Sequence, residues 1–118
     1  ISSDEKQVAI FEADPYRVED FSLSVFLDIV KASKQLNKQQ TFNATPKNLP
    51  ILIFSGDKDP VGEMGKGLKR VLKQYKKAGM NDVTLKLYKG GRHEMLNEVN
   101  KEEVTHDLVS WLNEKIER

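Results

Sequence analysis

The sequence predicts an α/β fold in which two parallel strands with flanking helices form an incomplete sheet, preceded by a helical segment. Over residues 51–116, apolar residues recur at the spacings of a strand, a helix, a second strand and a second helix. This order predicts parallel strands joined by a right-handed crossover. A polar stretch at residues 37–48, which contains Pro46, separates these elements from the first part of the chain and is predicted to be a linker without helix.

The first part of the chain is predicted to be helical. Residues 5–13 predict a short helix that is capped by Ser2 or Ser3 and ended by Pro15. Apolar residues then recur at helical spacing over residues 18–36, which predicts a second, amphipathic helix.

The predicted sheet elements follow the linker in order. Residues 51–54 are a continuous apolar run, as in a strand that is buried on both faces. A helix with an apolar face over residues 68–75 ends near Gly79. Residues 83–88 alternate between apolar and polar side chains, which predicts a strand with one wetter face. The last helix begins near Asn100, and its predicted buried stripe consists of Val104, Leu108, Trp111, Leu112 and Ile116.

A strand buried on both faces needs neighbours that this sequence does not supply. Parallel sheets have both faces covered and contain more than two strands. We therefore expect the sheet to be completed by the missing N-terminal half of the same protein or by another chain. The sequence begins with Ile1 rather than methionine, which agrees with an excised piece.

Composition excludes several classes of function. The 118 residues are 38% hydrophobic and 31% charged, with a net charge of +1, so no global attraction to nucleic acid is expected. The sequence has no cysteine, which excludes disulfides, thiolate metal sites and cysteine nucleophiles. The longest apolar run is far shorter than the about 20 residues of a membrane span. These features predict a cytoplasmic protein with no transmembrane segment, metal or cofactor.

Polar turns follow both predicted strands. Residues 55–60 follow the first strand and residues 90–94 follow the second. Ligand sites in open parallel sheets form beyond the carboxyl ends of the strands, and adjacent strands lie about 4.8 Å apart. A carboxylate of the first turn is therefore within reach of His93, and an Asp–His pair can serve as a proton relay. Ordinary turn chemistry is the alternative interpretation, since Asp and Gly are common in such loops.

These two turns carry a family resemblance. Residues 49–62, LPILIFSGDKDPVG, resemble the acid-bearing strand and turn of α/β-hydrolases, and residues 85–98, LKLYKGGRHEMLNE, are similar to the histidine turn. The closest resemblance is to the serine-aminopeptidase-like group that includes lysophospholipases and monoacylglycerol lipases. The order of acid before histidine is that of α/β-hydrolases after the nucleophilic serine. The resemblance covers residues 49–118 well and the preceding segment more weakly.

The resemblance implies roles for individual residues. The family acid lies three positions after the turn glycine, which makes Asp59 the triad acid, with Asp57 as the alternative. His93 takes the role of general base, while Glu94 and Asn97 hold the histidine loop. The Gly-x-Ser-x-Gly motif of the nucleophile does not occur in the sequence, so this chain alone is expected to be inactive.

The family further implies a substrate class and a lid. The intact protein is expected to cleave lysophospholipid or monoacylglycerol esters, with the serine upstream of this chain. Residues 1–45 are interpreted as the tail of a helical lid and residues 46–118 as the last βαβα part of the core. Five residues are candidates for lining an acyl pocket, although simple packing on the core is an equal alternative: Phe21, Val25, Phe26, Ile29 and Met95.

Two other motifs are excluded, and one other interpretation stays open. A calcium loop starting at Asp57 fails because Val61 and Leu68 occupy ligand positions. A phosphate loop fails because Pro60 and Gly67 stand where Gly and Ser or Thr are required. A non-catalytic interaction module remains open, in which two copies form a homodimer through the lid helix and the open sheet edge.

Overall fold

The computed structural model describes residues 1–18 and 20–116. Glu19, within the first predicted segment, and Glu117 and Arg118, at the end of the second, lie outside the described residues. In the described part of the chain the order of elements is α1 (Glu5–Ala13), α2 (Leu23–Leu36), α3 (Gln39–Ala44), β1 (Ile51–Gly56), α4 (Lys66–Lys77), β2 (Val83–Tyr88) and α5 (Lys101–Ile116). A short 3-10 helix, Met95–Asn97, lies between β2 and α5.

The sheet is parallel, as predicted. Within the described residues it has two strands, and the register runs from Ile51 beside Val83 to Gly56 beside Tyr88. Residues 51–54 are all only half-buried in this chain, as expected for a strand whose further neighbours lie outside the sequence. The physical reason is that a two-stranded sheet leaves each strand with one edge that no other strand of the described chain covers.

Helix α4 ends where the sequence predicted. The backbone N–H of Gly79 donates to the carbonyl of Lys76 at 3.0 Å, and that of Met80 donates to Tyr75 at 3.2 Å. Gly79 has a φ of +85°, which closes this double hydrogen-bond motif without the steric conflict that a Cβ brings in the left-handed region. The chain then turns directly into β2.

The N-terminal helices differ from the predictions in three details. Asp4, rather than Ser2 or Ser3, caps α1, and its side chain accepts from the N–H of Lys6 at 2.9 Å. Both serines instead bind the chain near Asn97 and Glu98. The second helix begins at Leu23, five positions later than predicted from residue 18.

The predicted linker contains helix α3. Pro46 disfavours helix only at itself and the residue before it, so six residues upstream remain free to form a turn and a half. Phe42 of α3 is buried and meets the ring of Tyr75 in α4 edge-to-face, with centroids 4.9 Å apart. Tertiary packing therefore stabilises a helix that local polarity did not predict.

The core lies beneath the carboxyl end of β2. It consists of the buried side chains of Tyr88, Met95 and Val104, with Phe54 and Leu108 packed against them. The predicted stripe of the last helix is thus buried in its first turns only. Its final residues, Leu112 and Ile116, are exposed.

Helix α2 presents large apolar side chains to solvent. Phe21 and Phe26 contact each other edge-to-face at 5.9 Å between centroids, and both are about half exposed, as are Val25 and Ile29. Among the described residues, no helix is both long and apolar enough to cross a membrane.

Candidate functional site

The first turn (residues 55–60), which includes the last two residues of β1, and the turn after β2 (residues 90–94) are held together by their backbones. The N–H of Gly56 donates to the carbonyl of Arg92 at 3.1 Å, and the N–H of Lys58 donates to Gly91 at 2.9 Å. A Cβ placed on Gly56 would lie 1.9 Å from the carbonyl carbon of Gly91, a distance that no side chain tolerates. The approach of the two turns therefore requires glycine at position 56.

Asp59 is the buried carboxylate of this site, with only 4% of its surface exposed. Its Oδ1 accepts from the N–H of Val61 at 2.9 Å, and its Oδ2 accepts from the Ser55 hydroxyl at 3.0 Å. Burial opposes ionisation, but the hydrogen bonds of His93, Val61 and Ser55 outweigh it and hold the pKa of Asp59 below its usual value. Asp59 is therefore an anion at neutral pH.

His93 contacts this carboxylate. Its Nδ1 lies 3.1 Å from Oδ2 of Asp59, while 55% of the imidazole surface remains exposed. A neutral imidazole that donates from Nδ1–H to a carboxylate keeps Nε2 as a proton acceptor. The pair can thus take up a proton at Nε2 and stabilise the resulting imidazolium.

The other polar residues of the two turns bind the loops. Asp57, the alternative acid, accepts the N–H of Gly90 at 2.8 Å through Oδ1, so its carboxylate ties the first turn to the second. The Asn97 amide donates to Glu94 at 2.8 Å, which links the end of this turn to the 3-10 helix. Among the described residues, no group of three or more His, Asp or Glu side chains is arranged to hold a metal ion.

The five candidates for an acyl pocket separate into two groups. Phe21, Val25, Phe26 and Ile29 lie on or beside α2 and are exposed. Met95 is buried in the core, and its side chain lies close beneath Gly91 in the histidine turn. The described structure thus places four of the candidates on an exposed surface and the fifth in the core.

Sequence reasoning missed two side chains at this site. Ser55 is the first residue of the predicted polar turn and has no role in the sequence pattern, yet its hydroxyl donates to Asp59. The sequence pattern gives no role to Glu98, the last residue of the histidine motif, yet Glu98 is fully buried and accepts the N–H of Arg92 at 2.7 Å. A carboxylate inside a family motif, five residues after the histidine, was the available signal for Glu98.

The chain is similar to a known family and to a curated relative. The family model described as serine aminopeptidase, S33 matches residues 1–100. A monoacylglycerol lipase of Mycolicibacterium smegmatis (strain ATCC 700084 / mc(2)155) is 32% identical over 115 residues. That similarity covers 95% of this chain but 38% of the relative, so this chain spans well under half of the relative's length.

Solved structures with the same fold were also found. A highly thermostable carboxyl esterase from Bacillus coagulans, crystallised with glycerol, superposes with a TM-score of 0.85 at 28% identity, over 94% of this chain and 36% of that chain. A lipase in its open form superposes with a TM-score of 0.81 at 27% identity, over 96% of this chain and 37% of that chain. The likeness extends over nearly all of the present chain, including its N-terminal helices.

Proposed function

Because this chain belongs to the serine aminopeptidase S33 family of α/β-hydrolases, we propose that it is the acid- and histidine-bearing part of a serine hydrolase that cleaves carboxylic esters of lipid-like substrates. The contact between Asp59 and His93, 3.1 Å between Oδ2 and Nδ1, is the observation that carries the proposal. The attacking serine belongs to the remainder of the protein, outside the printed sequence.

The proposed reaction is acyl transfer through the enzyme. His93 accepts the serine proton at Nε2 while the serine oxygen bonds to the ester carbonyl carbon, and Asp59 stabilises the imidazolium. The imidazolium then gives that proton to the departing alcohol, which leaves an acyl-enzyme. Water then attacks the acyl carbon and gives a proton to Nε2 of His93. The bond between the acyl group and the serine breaks, the serine recovers the proton, and the carboxylic acid is released.

Burial and hydrogen bonding favour Asp59 over Asp57 as the triad acid. Asp59 directs one oxygen at the imidazole and is fixed by Ser55 and Val61. Asp57 instead accepts a hydrogen bond from the N–H of Gly90, so its carboxylate holds the two turns together. A carboxylate that must hold one tautomer of an imidazole needs the first kind of environment.

The relatives support lipid esters as the substrate class. The curated relative is named a monoacylglycerol lipase, and the two solved structures are named a carboxyl esterase and a lipase. A monoacylglycerol or a lysophospholipid has a single acyl ester and a polar head, which agrees with these names. The names of these three relatives favour esters over peptides as substrates. The fold does not decide between the two, because one fold serves several reactions.

Residues 1–45 are proposed to belong to a lid over the site. The support is the apolar surface of α2, where Phe21, Val25, Phe26 and Ile29 remain exposed to solvent. An acyl chain that packs against this surface would bury apolar area on the helix and on itself. Each Å² of apolar area removed from water contributes about 25 cal/mol to binding. Met95 is proposed to act from beneath, as the floor of the histidine turn.

The test is hydrolysis of a short-chain nitrophenyl ester and of a monoacylglycerol by the full-length protein. His93→Ala and Asp59→Asn are expected to lower kcat by about 10⁴-fold, because the base is lost or held in the wrong tautomer. His106→Ala and Asp57→Asn are the matched controls. His106 is exposed on α5, and the Asp57 carboxylate accepts a backbone N–H rather than contacting His93.

Each outcome of this test has a definite meaning. Labelling of a serine by a fluorophosphonate in the wild type, reduced in His93→Ala, would support the proposed chemistry. If Asp57→Asn inactivates and Asp59→Asn does not, the assignment of the acid is wrong. Full activity of a correctly folded His93→Ala variant would overturn the proposal.

A further inference from the structure

Glu98 is a fully buried carboxylate outside the proposed triad. It follows the 3-10 helix and has 0% of its surface exposed. Its Oε1 accepts the N–H of Arg92 at 2.7 Å and that of Ser3 at 2.9 Å, and its Oε2 accepts from the Ser3 hydroxyl. Burial opposes ionisation, but the hydrogen bonds from Ser3 and Arg92 outweigh it and hold the pKa of Glu98 below its usual value.

These bonds join two segments that are 95 residues apart in the chain. The carbonyl of Ile1 accepts the N–H groups of His93 and Glu94, both at 3.0 Å. The hydroxyl of Ser2 donates to the carbonyl of Asn97 at 2.7 Å. Residues 1–3 therefore form a brace along the histidine turn, and Glu98 fastens the brace to it.

The brace binds the backbone on both sides of the imidazole. The N–H groups of Arg92, His93 and Glu94 are consecutive, and each donates either to Glu98 or to Ile1. Within the described chain, the His93 ring is more than half exposed, so packing in this part of the protein contributes little to its position. Its position on Asp59 therefore depends on how firmly these three backbone groups are held.

We propose that Glu98 is a positioning residue of the active site, which keeps the His93 imidazole on Asp59 by fastening residues 1–3 to the histidine turn. The role of His93 as base rests on the proposed function, whereas the fastening itself does not. A misplacement of about 1 Å in a reacting group lowers rates by about 100-fold, so loss of this anchor acts on turnover.

The chemistry of the anchor suggests a conservative variant. In Glu98→Gln, the amide oxygen retains the N–H groups of Arg92 and Ser3, and the amide nitrogen donates to the Ser3 hydroxyl, which can also accept. Glu98→Ala leaves all of these donors without their acceptor. Glu102→Gln is the control, because Glu102 is an exposed carboxylate on α5, outside the histidine turn.

The first measurement is steady-state ester hydrolysis by the full-length protein. Glu98→Ala is expected to lower kcat by about 100-fold with KM nearly unchanged, since only the alignment of the base is lost. Glu98→Gln and Glu102→Gln are expected to stay within about threefold of the wild type. Ser3→Ala removes one donor and is expected to give a smaller loss than Glu98→Ala, which keeps the test decisive if the alanine variant at 98 does not fold.

The second measurement needs no turnover. In nitrogen-15 histidine spectra of the same protein, the Nδ1–H signal assigned to His93 by its loss in His93→Ala reports the bond to Asp59. We expect this signal to shift or broaden in Glu98→Ala and Ser3→Ala and to persist in Glu98→Gln. The His106 signal is the internal reference.

The two measurements separate the two hypotheses. An inactive wild type with a His93 signal that responds to Glu98→Ala would overturn the proposed function and support the anchor. An active wild type in which the folded Glu98→Ala variant, or Ser3→Ala where that variant does not fold, keeps its kcat and its His93 signal would overturn the anchor. In that case Glu98 serves stability alone.

Discussion

At the scale of single residues, the site depends on two carboxylates that stay ionised while buried. Asp59 and Glu98 are each satisfied by several N–H or O–H donors, and each has a lowered pKa despite burial. An unpaired buried carboxylate would take up a proton instead. The charge on Asp59 is what orients His93, and the carboxylate oxygens of Glu98 accept the N–H groups of Arg92 and Ser3 that hold the same turn.

The lowered pKa values predict a loss of stability in acid. A carboxyl with a lower pKa in the folded state binds fewer protons there than in the unfolded chain, so its stabilisation is present above the ordinary pKa of about 4 and disappears as the pH falls through the folded value. The free energy of unfolding of the wild type is expected to fall between about pH 5 and pH 3, and we expect this fall to be smaller in Glu98→Gln.

Urea unfolding of the full-length protein at several pH values measures this effect. Glu102→Gln, the same substitution at an exposed position of α5, is the control against which the effect of Glu98→Gln is judged. An acid sensitivity that is equal in the wild type and in Glu98→Gln would mean that the carboxylate of Glu98 is not preferentially stabilised in the folded state.

At the scale of elements, the approach of two turns decides whether the site exists. Strands β1 and β2 bring their carboxyl ends to the same edge, but the Asp–His contact also needs the backbone of Gly56 against Gly91. Met95 supports the second turn from below, with its sulfur 2.7 Å from where a Cβ of Gly91 would lie. Strand pairing thus brings the two turns to the same edge of the sheet, and the glycines at 56 and 91 allow their backbones to come into contact.

A pair of glycine variants tests this close approach. Gly56→Ala places a methyl group into backbone atoms that cannot rotate away, so a loss of about 3 kcal/mol in stability and a fall in activity are expected. Gly79→Ala meets open space and a φ of +85°, so it should lose only about 1 kcal/mol and no activity. Urea midpoints and ester hydrolysis of the full-length variants measure both. Equal effects of the two substitutions would show that the contact between the turns is not tight.

At the scale of the whole molecule, the described chain is part of an α/β-hydrolase fold with uncovered surfaces. Its two-stranded sheet is half-buried, and the apolar side chains of α2 are exposed. Large apolar patches and open strand edges favour association with another surface. In the proposed parent protein the rest of the hydrolase supplies the covering sheet.

The isolated 118-residue chain is therefore expected to self-associate in solution, while the full-length protein is not. Phe26→Asn should weaken association of the isolated chain, because it replaces a half-exposed ring on α2. Val99→Asn is the control, since Val99 is an exposed apolar residue that follows the 3-10 helix. Light scattering after size exclusion measures the mass. A full-length protein that dimerises through Phe26 and hydrolyses no ester would support the interaction module instead.

The sequence by itself determined the topology and the place of the site. Apolar periodicity predicted the parallel strands and the two helices that flank them, because these repeats depend on neighbouring residues alone. The turn after each strand was predicted to hold polar groups at one edge, and the structure brings Asp59 and His93 together there. The family resemblance also came from these turns, and the match of the family model to residues 1–100 confirms it.

Only the tertiary structure decided what each residue contacts. Helix α3 exists because Phe42 packs on Tyr75, Ser2 and Ser3 bind near Glu98 instead of capping α1, and the end of α5 is exposed. None of these follows from local pattern, because burial and hydrogen-bond partners are set by atoms far apart in the chain. Glu98 is the clearest case: its carboxylate has a role only once residues 1–3 lie beside the histidine turn.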